Sequence, residues 1–200
     1  MRREPRLIVC AALAIVSTAV SITPALGDQP LVSFSDQEVR KIVKHSPLPL
    51  PSDSTNRYLN NEAAARLGQS LFFDERLSVN GKFACATCHD AAKGFADGKK
   101  LAEGLQKGRR HTPTLWNVAY NRWFFWDGRA DSLWAQALHP LESALEMGST
   151  RQAVVRLIEG DDSLRRDYVS CFGELPRESS NADRVIANVG KALAAYESRL

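Results

Sequence analysis

An excess of either charge is nearly absent: 26 lysines and arginines stand against 23 aspartates and glutamates, a net +3. A balance that close makes no general case for a nucleic-acid partner, which calls for a strongly basic surface. Repeats and low-complexity tracts are missing. Hydrophobic residues make up 44% of the 200 and charged residues 24%, ordinary globular usage that excludes collagen-like and wholly disordered chains. No segment alternates apolar and polar residues with the period of two that a half-buried strand requires. Cysteine is limited to 4 residues and methionine to 2. Long uncharged runs are confined to the N-terminus, the one segment able to enter a membrane.

That segment has three parts. Met1 to Arg6 is basic, Leu7 to Ile22 is uncharged and mostly apolar, and Pro24-Ala25-Leu26-Gly27 supplies small residues at Ala25 and Gly27. The pattern predicts a secretory signal peptide over residues 1–27, cleaved after Gly27. Cleavage removes three arginines and one glutamate, bringing the net charge to +1, and leaves Cys85, Cys88 and Cys171. The expected location is the periplasm, with no membrane segment after cleavage.

Residues 28–58 are rich in Pro and Ser and read as an extension or linker, with Ser46 to Ser52 extended. Ser35-Asp36-Gln37-Glu38 predicts one short capped helix within it. Residues 59–200 form the expected domain. A helix starts at Asn61-Glu62 and carries Ala64, Leu67, Gly68 and Leu71 on one face. Ser78 to Gly98 and Leu101 to Asn121 are loops. A short helix over Ser132 to Leu138 is stopped by His139-Pro140, where His139 suits the negative end of the helix dipole. Ser149-Thr150 caps another, and Leu164 to Phe172 forms one more. Asp183 to Leu200 is the clearest, with Val185, Ile186, Val189, Ala192, Leu193 and Tyr196 as its stripe. The fold class is all-α with long loops, which need an internal partner to pack on.

Cys85-Ala86-Thr87-Cys88-His89 is C-x-x-C-H, the attachment signature of c-type haem. Two thiols at this spacing can add to the two vinyl groups of one porphyrin, and the next histidine supplies an imidazole to the iron. A zinc site would need a second ligand pair, which the sequence lacks. A thioredoxin-like site would need a βαβ pattern. A Cys85–Cys88 disulfide would close a very tight ring. Cys171 is expected to be a buried small hydrophobe.

Several blocks in fixed order resemble the N-terminal half of the bacterial di-haem cytochrome c peroxidase family, including its MauG branch. They are Leu67 to Ser78, Cys85 to Asp90, Gly94 to Gly98, Arg110 to Asn117, Phe125 to Ala130 with Gln136, Glu146-Met147, and Ala194 to Glu197. The resemblance implies a cytochrome c-like haem domain and a peroxidase that reduces hydrogen peroxide. Electrons would come from a small donor protein, a cytochrome c or a cupredoxin. It also implies a second haem in a C-terminal domain beyond Leu200, the chain being expected to be incomplete, and admits a homodimer. Position by position, Trp126 matches a tryptophan on the electron path between haems. Gln136 and Glu146 match distal-pocket residues, with Glu146 moving a proton between peroxide oxygens. Arg110 and Arg129 are candidates for the haem propionates, and His89 for the iron.

Two residues depart from the family pattern. Glu103 stands where reductively activated members carry a histidine ligand, which implies an open iron site. His111 stands where many members have the asparagine of a calcium site, which makes calcium doubtful. A MauG-like oxidase and a non-catalytic electron-transfer cytochrome remain as alternatives.

Overall fold

A computed structural model describes residues 33–45, 49–173 and 181–200. The signal-peptide expectation for residues 1–27 and the extended reading of Ser46 to Leu48 lie outside them. The chain divides into two units, residues 1–48 and 49–200. In the first, α1 (Asp36–Ile42) carries the expected capping box: the Glu38 amide donates to Ser35 Oγ at 3.4 Å and the Ser35 amide to Glu38 Oε2 at 2.8 Å.

In the second unit, Asn61 Oδ1 accepts from the Ala64 amide at 3.0 Å and opens α2 (Glu62–Phe72). The stripe Leu67, Leu71 and Phe72 is fully buried, stabilising the fold by about 1.5–3 kcal/mol per side chain. It packs on α7 (Ala182–Glu197). The two helices cross at Gly68, where an added Cβ would overlap the carbonyl oxygen of Ala192. Only hydrogen in place of a side chain lets the backbones approach this closely. The other face of α7 meets α4 (Leu133–Glu142) at Gly190, whose added Cβ would lie 2.6 Å from the Trp134 carbonyl oxygen.

The helix α4 runs past the expected stop. Pro140 offers no N–H to the Gln136 carbonyl and should end the helix. The chain nonetheless holds one more partial turn, because Leu141 is drawn fully into the core and the Ser143 amide bonds the His139 carbonyl at 2.9 Å. Thr150 caps α5 (Arg151–Gly160) as expected, accepting from Ala153 at 3.2 Å. Asp161 then ends α5 and caps α6 (Asp162–Phe172), starting that helix two residues earlier than the apolar pattern suggests. The helix α7 ends at Glu197 rather than Leu200.

Between α2 and α4 lies a long stretch of loop whose one α-helical turn is α3 (Cys85–Cys88). Among the described residues there is no strand beyond isolated bridges, and no helix is long and apolar enough to cross a membrane. The all-α expectation holds.

Candidate functional site

Thr87 starts α3 by accepting the Ala84 amide on Oγ1 at 2.9 Å, and His89 ends it by donating its amide to the Cys85 carbonyl at 2.9 Å. Cys85, Cys88 and His89 therefore share one tight turn, and both thiols are free. The loop that follows folds back, with the Phe95 amide bonding the Asp90 carbonyl at 2.8 Å. This turn delivers the Phe95 carbonyl to His89 Nδ1 at 2.9 Å. A carbonyl can only accept, so Nδ1 carries the proton and Nε2 keeps its lone pair. Phe95 holds φ at 55° to do this, left-handed geometry that costs a non-glycine about 1–2 kcal/mol. Burial pushes the His89 imidazole below its ordinary range, with the Phe95 and Pro113 carbonyls opposing. The neutral form is the one that binds a metal.

Burial also pushes both thiols up, and at Cys88 the charges of Asp97 and Glu146 add to it. The Cys88 thiol donates weakly to the Glu103 carbonyl, 3.8 Å away. From there the chain joins the Glu146 segment. The Leu105 amide bonds the Glu146 carbonyl at 3.0 Å and the Gln106 amide the Leu145 carbonyl at 2.9 Å. Gly104 makes this approach possible, since its added Cβ would lie 2.7 Å from Glu146 Cα. Glu146 is thus tied by backbone to the loop that touches Cys88. Its carboxyl lies at a cavity of about 290 Å³ with Arg129, His139, Glu142 and Ser143. The residue is solvent-exposed as a whole, yet partial desolvation of the carboxyl raises its proton affinity, while Arg129, Ser143 and His139 pull it back.

The other expected residues are placed as follows. Gln136 is half-buried on α4 and does not line that cavity. Trp126 is 70% exposed, so it is no core aromatic, and Arg110 lies 3.8 Å over its ring. Arg129 bonds Asp127 at 2.8 Å and stacks 3.5 Å over Phe125. Glu103 is held by Lys99 at 2.5 Å. His111 is exposed. Met147 is buried in the core. Cys171 is only half-buried, beside Ala64, Ala65 and Ala195, and desolvation pushes its thiol up to about 11.

Periodicity also marks a residue outside the expected site. Val189, Leu193 and Glu197 repeat at four-residue spacing, so Glu197 continues the buried stripe of α7. It is 5% exposed and its Oε2 has no hydrogen-bond partner. Desolvation pushes the carboxyl up to about 8.

Residues 62–200 match the family described as di-haem cytochrome c peroxidase. The chain belongs to that family. The cytochrome c551 peroxidase of Pseudomonas aeruginosa is 37% identical over 143 residues, covering 70% of this chain and 40% of the relative. The methylamine utilization protein MauG of Methylorubrum extorquens is 31% identical over 195 residues, covering 96% of this chain and 54% of the relative. A MauG-like protein associated with microbial copper homeostasis superposes with a TM-score of 0.66 at 28% identity, over 76% of this chain and 44% of that one. The diheme peroxidase BthA of Burkholderia thailandensis gives 0.62 at 30% identity, over 69% and 38%. The chain thus spans about half the length, or less, of the relatives it matches.

Membership implies c-type haem, and the donor set fits it. Two free thiols precede a neutral histidine whose Nε2 is unclaimed by the bond that fixes its ring. Among the described residues, no three His, Cys, Asp or Glu side chains are grouped to hold a metal ion by themselves, so the zinc alternative has no ligand set.

Proposed function

We propose that this chain is the peroxide-reactive, haem-bearing half of a periplasmic cytochrome c peroxidase, exported by a signal peptide over residues 1–27. One haem c would be held by thioethers from Cys85 and Cys88, with His89 Nε2 on the iron. The group, when bound, supplies the redox-active iron at which the peroxide bond is broken. The observation that supports the proposal is the backbone tie between the Cys88–Glu103 contact and Glu146, whose carboxyl, of raised proton affinity, is near enough for its charge to act on the Cys88 thiol.

In this scheme Glu146 holds the proton that the departing oxygen needs to leave as water. Glu103 is paired with Lys99 and Met147 is committed to the core, so neither would be free to cap the iron. Gln136, half-buried on α4, would be the second polar residue on the peroxide side. Trp126, exposed under Arg110, would be the path by which electrons enter from a second haem domain, which in turn would draw on a cytochrome c or cupredoxin. Arg110, stacked on Trp126, and Arg129, paired with Asp127, would be the cations for the haem propionates. Calcium forms no part of the proposal. A MauG-like oxidase is the second candidate, favoured by the match of 96% of this chain to one MauG protein.

Two measurements on periplasmically produced protein test this. The intact mass, after cleavage at Gly27, should exceed the polypeptide by one haem. Glu146→Gln should keep that haem yet slow peroxide cleavage by about 10²–10⁴-fold, the usual contribution of an acid–base group. An unmodified mass, or an undiminished rate, contradicts the proposal.

A further inference from the structure

His139 has no role in the function proposed above, yet it shares a cavity of about 290 Å³ with Glu146. It lies in the last turn of α4 and is exposed. Its ring is not free: Phe125 meets it edge-on, with centroids 5.1 Å apart and planes at 85°. Phe125 is fixed in turn by the Arg129 guanidinium, 3.5 Å over its face, and by a left-handed φ of 64°. A non-glycine residue occupies that region at a cost of about 1–2 kcal/mol. The imidazole is thereby held at the cavity rim.

The charged groups facing His139 across the cavity are Arg129, Glu142 and Glu146. Glu142 is already engaged by Arg151 at 2.7 Å, and Arg129 by Asp127 at 2.8 Å. Glu146 is the carboxyl left for proton exchange, and His139 is close enough to favour its ionised form. An imidazole has two ring nitrogens, so it can accept a proton on one and pass one on from the other.

Reduction of one hydrogen peroxide consumes two electrons and two protons and yields two waters. The electrons come from the donor protein proposed above, and the protons come from solvent. A carboxyl that gives its proton to the departing oxygen has to be recharged in every cycle. We propose that His139 returns the proton to Glu146, taking its own from water in the open cavity. It acts through Glu146 and touches neither the peroxide nor the iron, so it is a positioning residue for the proton. The inference rests on the acid–base role of Glu146.

The test mixes haem-loaded protein with hydrogen peroxide across pH 5–9 and follows the haem absorbance. His139→Gln should flatten the pH profile and slow the reaction by about tenfold, short of the roughly hundredfold floor for a group that transfers the proton directly. His139→Ala should regain rate when imidazole is added to the buffer, an effect that a structural role would not produce. With ¹³C-carboxyl-labelled glutamate, the Glu146 titration should move to higher pH in His139→Gln, because the lowering effect of His139 on Glu146 is gone. An unchanged pH profile and no imidazole rescue, alongside a slow Glu146→Gln, overturns the relay and leaves the acid–base role standing. A Glu146→Gln protein as fast as the parent overturns both.

Discussion

Gly68→Ala is the sharpest probe of the scaffold that positions the site. The added methyl would overlap the Ala192 carbonyl oxygen and lie 2.5 Å from the Ala192 carbonyl carbon. The obstacle is backbone in the middle of α7, so no side-chain rotation relieves it and the two helices must separate. Overpacking of this kind costs about 1–3 kcal/mol or more, and rigid backbone places the cost near the upper end. Alanine returns about 1 kcal/mol through helix propensity. The net loss is then about 2 kcal/mol, or a fall in Tm of about 4–8 °C for a chain of this size. Thermal melting of the haem-loaded protein by circular dichroism measures it. Gly160→Ala is the control, since nothing lies within 4 Å of its added Cβ, and it should be neutral or slightly stabilising. The loss should reach the site as well, because Tyr196 of α7 packs on Phe72 at 5.1 Å and Phe72 on His89 at 6.5 Å. A Gly68→Ala protein as stable as the parent would show that the helices do not cross at this residue.

Two further outcomes are expected. Glu197 binds its proton more tightly in the fold, at about 8, than its ordinary 4.5, so its contribution to stability is complete below pH 4.5 and is lost as pH rises to about 8. Urea melts of the haem-loaded parent should decline by up to about 1.4 kcal/mol per pH unit in that window relative to Glu197→Gln, and parallel curves would exclude a raised proton affinity. The Cys85→Ala/Cys88→Ala chain, which cannot attach haem, should melt without cooperativity, because Trp116, Trp123 and Trp126 are 56%, 57% and 70% exposed and the loops around them lack a core of their own. Cooperative melting at the parent's midpoint would refute that.

The helices were legible because their signals are local. Asn61, Ser35 with Glu38, and Thr150 each satisfy orphan amides at a helix start, and the apolar stripes of α2 and α7 recur at the helical period. Tertiary packing decided what local rules missed. Pro140 fails to stop α4 because Leu141 gains full burial beyond it, and Asp161 serves two helices at once. The Cys-His turn was readable from spacing alone, whereas its orientation was not: the bond from His89 to Phe95 depends on a left-handed Phe95, a conformation that sequence propensity disfavours. The approach of Glu146 to the Cys88 loop depends on Gly104 meeting a segment some forty residues away, and no periodicity reports such contacts. Glu197, by contrast, was written in the α7 stripe as an acid at an apolar position.

The central claim is that His89 binds the iron on one side while the other side stays open to peroxide, with Glu146 near and Glu103 held by Lys99. Electron paramagnetic resonance of the ferric, haem-loaded chain as isolated tests it most directly. The account predicts a high-spin signal that is unchanged in Glu103→Ala and that reacts with hydrogen peroxide without prior reduction. A purely low-spin signal would mean that a sixth ligand from the protein closes the iron, contradicting the open site and favouring an electron carrier.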